Sequence, residues 1–237
     1  MRIPLTVTIF AVLLWFPDLY AQKSSITDYL AEYERKYGRD ADLVNGEKYF
    51  YPYRNSQGDP FFFPEPRKAV ITLHNKEFPD QLLRYDIFNQ QLILDFKDIY
   101  GANSSLVLRQ EWVESFVFEQ QRFVRLEGPD GKPGYYQLIW DGPITCVYRW
   151  SKNHKLNLTS GVQNYYFTEP ARESYLVKEG RYYPYRNNRT FLKTFDPGLQ
   201  KTIKQFIKQS KVKVNRGTDA QIRHLLEYCN SLVHEDS

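Results

Sequence analysis

Residues 82–96, LLRYDIFNQQLILDF, constrain this chain more than any other stretch. Apolar and polar residues alternate on both sides of Asn89-Gln90, the pattern of two half-buried strands joined by a tight turn. With a two-residue turn there, Leu83 faces Phe96, Tyr85 faces Leu94 and Ile87 faces Leu92 on one side of the sheet. The other side sets Arg84 opposite Asp95, and Asp86 lies on that same polar face. A slip of one residue would turn the apolar face to water, so alternation and charge pairing specify the hairpin together.

The same alternation recurs in short segments from residue 67 to residue 186, separated by residues that turns require. Strands are expected over residues 69–73 and 106–109, and a hairpin joins 114–118 to 122–126. Residues 135–140 and 144–150 meet at Asp141-Gly142, a hairpin-type pair, and further strands fall near 163–168, 174–177 and 181–185. Aromatic residues make up 16% of the chain and favour strands over helices. Sequential strands with short connections give the fold class: mainly β within an α+β chain, an antiparallel meander curled into an open barrel or roll.

Helical signals sit at the two ends. Residues 24–38 combine a Ser25/Asp28 capping pattern with Ile26, Tyr29, Leu30, Tyr33 and Tyr37 at helical spacing. Near the C-terminus, Asp196 is placed to cap a helix opening at Pro197, with Leu199, Ile203, Phe206 and Ile207 on one face. Lys201, Lys204, Lys208 and Lys211 lie largely outside that face; they read as a solvated strip or as an attraction for anionic lipid or glycan. Thr218 and Gln221 then open a second amphipathic helix. The division is residues 1–21 as a signal peptide, 22–66 as a helix and aromatic edge segment, 67–190 as the β domain, and 191–237 as a two-helix tail packed on the sheet.

The signal peptide reading rests on Arg2, the apolar core over residues 3–16, and Leu19-Tyr20-Ala21 ahead of a cleavage point before Gln22. The apolar run falls short of the ~20 residues a spanning helix needs, and Pro17 and Asp18 interrupt it, so no membrane span is expected in the mature chain. Export to the periplasm or cell surface follows. A net charge of +4 without a long basic block gives no footprint for nucleic acid.

No catalytic signature is present: no Gly-x-Ser-x-Gly elbow, phosphate loop, His-Glu-x-x-His or dinucleotide fingerprint. His74, His154, His224 and His234 are scattered, so no metal or other cofactor is expected. Asp86 with Asp95, or Glu111 with Glu114, are the carboxylate pairs a glycosidase reading would use, but the hairpin pairs Asp95 with Arg84 instead. The pentapeptide Tyr-Pro-Tyr-Arg-Asn occurs at residues 51–55 and again at 183–187. It reads as two edge strands of a Tyr-rich chain, or as a duplicated ligand-facing element offering Tyr53, Arg54, Tyr185 and Arg186. Trp140 and Trp150 share parity with Leu138 and with Ile144, Cys146 and Tyr148, a core face, whereas Trp112 precedes a strand and is the tryptophan expected to be exposed. Cys146 and Cys229 sit on apolar faces, where either a disulfide stapling the tail to the sheet or two buried thiols would fit. Asn103, Asn157 and Asn188 begin glycosylation triplets that matter only in a host able to use them.

Three segments carry a resemblance: LRYDIFNQQLIL at residues 83–94, VYRWSK at 147–152, and the tail FLKTFDPGLQKTIKQFIKQSKVKV continuing to LLEYCNSL near Leu232. In these the chain resembles a family of secreted, functionally uncharacterised β-rich proteins of Bacteroidota. The resemblance implies an exported protein with a β body and a helical tail, and transfers no activity. The expectation is an exported, non-enzymatic binding or interaction protein of the cell envelope, its partner an envelope protein or a glycan. The alternative is a glycan-binding protein or glycan-active enzyme using Trp112 and the tyrosines of the pentapeptides.

Overall fold

A computed structural model describes residues 39–157 and 164–235. The expected signal peptide and the helix at residues 24–38 lie outside the described residues. All the elements below belong to one compact unit that begins at Ala41.

The strands are β1 (Gly46–Lys48), β2 (Ser56–Gln57), β3 (Arg67–Leu73), β4 (Lys76–Asp86), β5 (Gln91–Lys97), β6 (Asn103–Leu108), β7 (Val113–Phe118), β8 (Gln121–Glu127), β9 (Pro133–Trp140), β10 (Ile144–Ser151), β11 (His154–Asn157), β12 (Asn164–Phe167), β13 (Ala171–Lys178) and β14 (Arg181–Tyr185). Helices α1 (Asn188–Leu192), α2 (Pro197–Gln209) and α3 (Asp219–Glu235) follow. Eleven strands form one antiparallel sheet in the order β1-β6-β5-β4-β3-β7-β8-β9-β10-β13-β14. The order is that of two meanders sharing a seam: the chain runs outward from β3 to β6, then returns to lay β7 on the free side of β3. The sheet is not closed, because β1 and β14 are its outer strands. A separate three-stranded sheet, β11-β12-β2, pairs β2 parallel to β12.

The sheet nevertheless folds back on itself. From β4 to β10 the order crosses five ladders, about 24 Å in a flat sheet at the usual strand spacing. Yet Gln90 Nε2, in the turn after β4, donates to the Trp150 carbonyl on β10 at 2.9 Å. Tyr85 Oη on β4 likewise donates to the Tyr135 carbonyl on β9 at 3.3 Å. The face enclosed by this coil holds the first core, in which Tyr85, Phe116, Phe123 and Tyr135 meet edge-on or stacked. A fully buried side chain of that size contributes about 1.5–3 kcal/mol.

The central hairpin keeps its faces but not its register. Leu83 pairs with Leu94 and Tyr85 with Leu92, two residues away from the tight-turn alignment. The turn occupies residues 87–90 rather than Asn89-Gln90 alone. Asp86 causes this: its Oδ1 accepts from the backbone N–H of Phe88 at 3.0 Å and of Asn89 at 2.8 Å, and its Oδ2 accepts from Asn89 Nδ2 at 2.8 Å. Those bonds stabilise a wider turn that places Gln90 at φ 56°, the left-handed region. A shift of two residues conserves parity, so Leu83, Tyr85, Leu92 and Leu94 remain in the core. Arg84 now stands opposite Ile93 and reaches Asp95 diagonally, through two bonds of 2.7 and 2.6 Å.

The second core lies between β9, β10, β13 and β14 and the three helices, where Cys146, Tyr148 and Leu176 meet Phe191, Ile203, Ile207, Ile222 and Leu225. The tail has three helices because Asn187 and Thr190 form a reciprocal capping box that starts the short α1. Thr218 and Gln221 cap α3 in the same reciprocal way. The Asp196 side chain makes no cap bond to α2; its carboxylate lies 3.7 Å from Lys178 Nζ instead. Asn230 ties α3 to β10, its Oδ1 accepting from the Ile144 N–H and its Nδ2 donating to the Ile144 carbonyl. The expected parity of Trp140 with Leu138 fails at a bulge, since Cys146 pairs with Trp140 while Val147 pairs with Leu138. Leu138 consequently joins Tyr136, Val147 and Tyr175 on the opposite face, and Trp140 packs on the second core. Cys146 and Cys229 are both buried free thiols rather than a disulfide. Cys146 Sγ lies 3.4 Å from Tyr185 Oη, and burial pushes both thiols up to about 12.

Candidate functional site

The aromatic segment after β1 runs back along β4. Phe62 N donates to the Tyr85 carbonyl at 2.8 Å, Ile87 N donates to the Pro60 carbonyl at 3.0 Å, and Phe61 bridges Asp86. This segment covers Asp86, which the alternation placed on a polar face and which is 0% exposed. Burial raises its carboxyl above the ordinary range, while the bonds from Asn89 and Phe88, and then Lys152, act the other way. Lys152 Nζ is itself engaged by Asp59, donating to its carbonyl at 2.8 Å and to Oδ1 at 3.1 Å. The Arg84 guanidinium lies 5.0 Å from the Phe61 ring centre.

Around this charged floor stand the rings brought by the small sheet. Tyr53 meets Phe88, His154 and Phe167 edge-on, with centroids 4.9–6.0 Å apart. His154 is stacked between Tyr165 and Phe167, at 5.1 and 4.5 Å. Phe88 is 37% exposed and Tyr165 46%, so the cluster presents ring surface to solvent. Ser56 Oγ and His154 Nε2 lie 2.8 Å apart. In this setting the contact ties β2 to β11 across β12, and no carboxylate is bonded to the imidazole among the described residues.

Asn89 joins this cluster to a cleft. Its Nδ2 donates to Tyr53 Oη at 3.0 Å as well as to Asp86. On its other side a cleft of about 350 Å³ is lined by Asn89, Gln90 and Gln91 from the hairpin, Val107, Leu108 and Gln110 from the end of β6, Lys132 and Pro133 at the start of β9, and Arg149 of β10. It opens where the β4–β6 part of the sheet comes up against β9 and β10. Arg149 Nη1 lies 3.6 Å from an Asp130 carboxylate oxygen, and the guanidinium also stands 5.9 Å from the Tyr136 ring centre. The Lys132 N–H bond holds the Asp130 carboxyl below its ordinary range, with Arg149 adding to the effect.

Of the ligand-facing candidates Trp112, Tyr53, Arg54, Tyr185 and Arg186, only Tyr53 belongs to this site. Arg54 is exposed beside it. Tyr185 is 2% exposed and packs on Phe191 in the second core, so it has no face for a ligand. Arg186 is exposed, its backbone N–H donating to Thr190 Oγ1 at the start of α1. The two pentapeptides therefore serve different surroundings: the first lies against the hairpin turn and the second feeds a helix cap. Trp112 is half-buried, packed on the first core with the His74 ring 4.6 Å away and Arg109 over its indole. In the sequence His154 is only one of four scattered histidines, and Phe88, Tyr165, Phe167 and the polar lining of the cleft carry no expectation as a site. Their one signal was the run Phe88-Asn-Gln-Gln91, a side-chain set that is excessive for a turn alone.

This geometry defines a mainly β protein, built on an eleven-stranded antiparallel sheet, with an aromatic cluster and an amide-lined cleft where the sheet folds back on itself. No family model, curated protein or solved structure matches the chain.

Proposed function

We propose that this protein is exported to the cell envelope and works there by binding a glycan, without catalysing a reaction on it. We read the coiled sheet as an open barrel whose gap carries the binding surface. The observation that supports this most is the adjacency, through Asn89, of exposed rings to a cleft lined with carboxamides. Rings receive the C–H faces of sugars, and carboxamides match hydroxyl groups because each offers both donors and an acceptor. The nearby carboxylates are engaged in holding the fold: Asp86 builds the hairpin turn, Asp59 accepts from Lys152, and Asp95 pairs with Arg84. The signal-peptide pattern and the resemblance to secreted Bacteroidota proteins point to the same compartment. Among the described residues no helix is long and apolar enough to cross a membrane.

The test is a glycan array probed with the purified full chain and with Tyr53→Ala/Phe88→Ala. Binding to defined glycans by the parent, reduced at least tenfold in the double variant, is expected. A parent protein that binds no glycan on the array sinks the reading.

A second reading, contact with an envelope protein, is favoured by the loop between β5 and β6. There the Asp98 carboxylate accepts from the N–H groups of Tyr100 and Ala102, both at 2.9 Å. The ordered loop presents Ile99 and Tyr100 almost bare to solvent.

A further inference from the structure

The cleft beside Asn89 has its hydrogen-bonding capacity distributed in a way that specifies a ligand. Gln90 has no donor to spare: Nε2 donates to the carbonyls of Ile87 and Trp150, and Oε1 shares the Tyr85 hydroxyl with the Tyr135 carbonyl. It is a fixed wall. Both Nδ2 hydrogens of Asn89 are likewise engaged, by Tyr53 and Asp86, which leaves its Oδ1 as an oriented acceptor. Gln91 and Gln110, by contrast, have no side-chain partner among the described residues, and each brings a donor pair and an acceptor to the same cleft. Val107, Leu108 and Pro133 supply the apolar part of the lining.

Two cations complete it. The Lys132 ammonium makes no ion pair among the described residues, and Arg149 is shared with Asp130 at 3.6 Å, too long for a good charge-assisted bond. A neutral sugar would leave the Lys132 ammonium without a counter-charge and Arg149 only loosely held by Asp130. A simple inorganic anion would leave the carboxamides unused.

We propose that this cleft is a subsite for a sugar carrying an anionic substituent, with its hydroxyls taken by Asn89, Gln91 and Gln110 and its charge by Lys132 and Arg149. The proposal rests on the glycan reading above and narrows it. The exposed rings at Phe88 and Tyr165 then receive the neighbouring residue of the chain, so the ligand is an oligosaccharide rather than a single sugar.

Calorimetric titration of the purified full chain with three probes tests this: tetragalacturonate, a sulfated galactan tetrasaccharide, and neutral cellotetraose. At least one anionic probe is expected to bind ten times more tightly than the neutral one, and which of the two does so tells a carboxylate from a sulfate ester. Its affinity should fall with added salt, as a charge contact requires. Lys132→Gln, on an exposed loop where it does not endanger the fold, should abolish the preference for anionic over neutral probes. Gln91→Ala/Gln110→Ala should weaken binding of charged and neutral probes alike. Equal binding of neutral and anionic probes overturns the proposal while the glycan reading stands. So does sodium sulfate alone competing as well as the sulfated sugar, or Lys132→Gln without effect. A protein that binds none of the three, and nothing on the array, loses both.

Discussion

Asp86 shows how one carboxylate can serve as a turn nucleus at the cost of being dehydrated. Two backbone N–H groups and one side-chain amide satisfy its oxygens, yet burial outweighs them and holds the carboxyl above the ordinary range. The folded state therefore binds a proton at Asp86 more readily than the unfolded chain does. Relative to a variant that cannot titrate there, its contribution is fully favourable below the unfolded value and is lost as pH rises through the raised folded value. Urea unfolding of the parent and of Asp86→Asn across a pH series should show the parent gaining on the variant as pH falls from neutrality through that window. A difference that is flat, or that grows in the other direction, would mean that Asp86 is not desolvated. Its position is legible in the sequence as the last polar residue before the turn, but its burial is not. That comes from residues 60–62, which pair with β4 from a proline-punctuated segment that carries no strand signal of its own.

Paired strands with strong alternation were the most legible part of the fold. The pairing of faces in the central hairpin survives the two-residue change in register because only an odd slip exchanges the two sides of a sheet. What sequence spacing could not supply was the choice between a tight and a wide turn, which the side chain of Asp86 makes. The bulge between β9 and β10 and the capping box before α1 were hidden for a similar reason: each depends on a local hydrogen bond or an extra residue, and periodicity is blind to both. The Arg84–Asp95 contact, anticipated as a directly opposed pair, is a diagonal one with side chains only 16% and 14% exposed. Removing one partner from so sheltered a pair leaves the other without its counter-charge. Arg84→Leu should therefore cost about 3 kcal/mol in chemical denaturation. Adding Asp95→Leu should recover most of that loss; full additivity of the two single losses would show that the pair is not coupled.

Between the two cores stands Trp150. Its ring packs on Phe62 at 5.1 Å, its Nε1 donates to Gln137 Oε1 at 2.8 Å, and its carbonyl accepts from Gln90. It touches both clusters, so it mechanically couples the coiled part of the sheet to the part that carries the helices. Trp150→Ala is expected to cost about 3–5 kcal/mol. It should also split a single calorimetric transition into two, whereas Trp150→Phe should retain one transition at a lower midpoint. One transition in the alanine variant would show that the cores cooperate by another route. The candidate site was scarcely legible because its parts come from six separate stretches, and nothing local announces that residues near 90, 108, 132 and 149 will be neighbours. Only the coil brings them together. That coil is joined at its gap by the side chain of Gln90 and not by a ladder of backbone bonds. A closed barrel can change its bore only in whole steps of strand number and stagger. In the open-barrel reading proposed above, the bore is a continuous quantity, and a descendant sequence can widen or narrow it by single replacements at the joint while every strand keeps its neighbours.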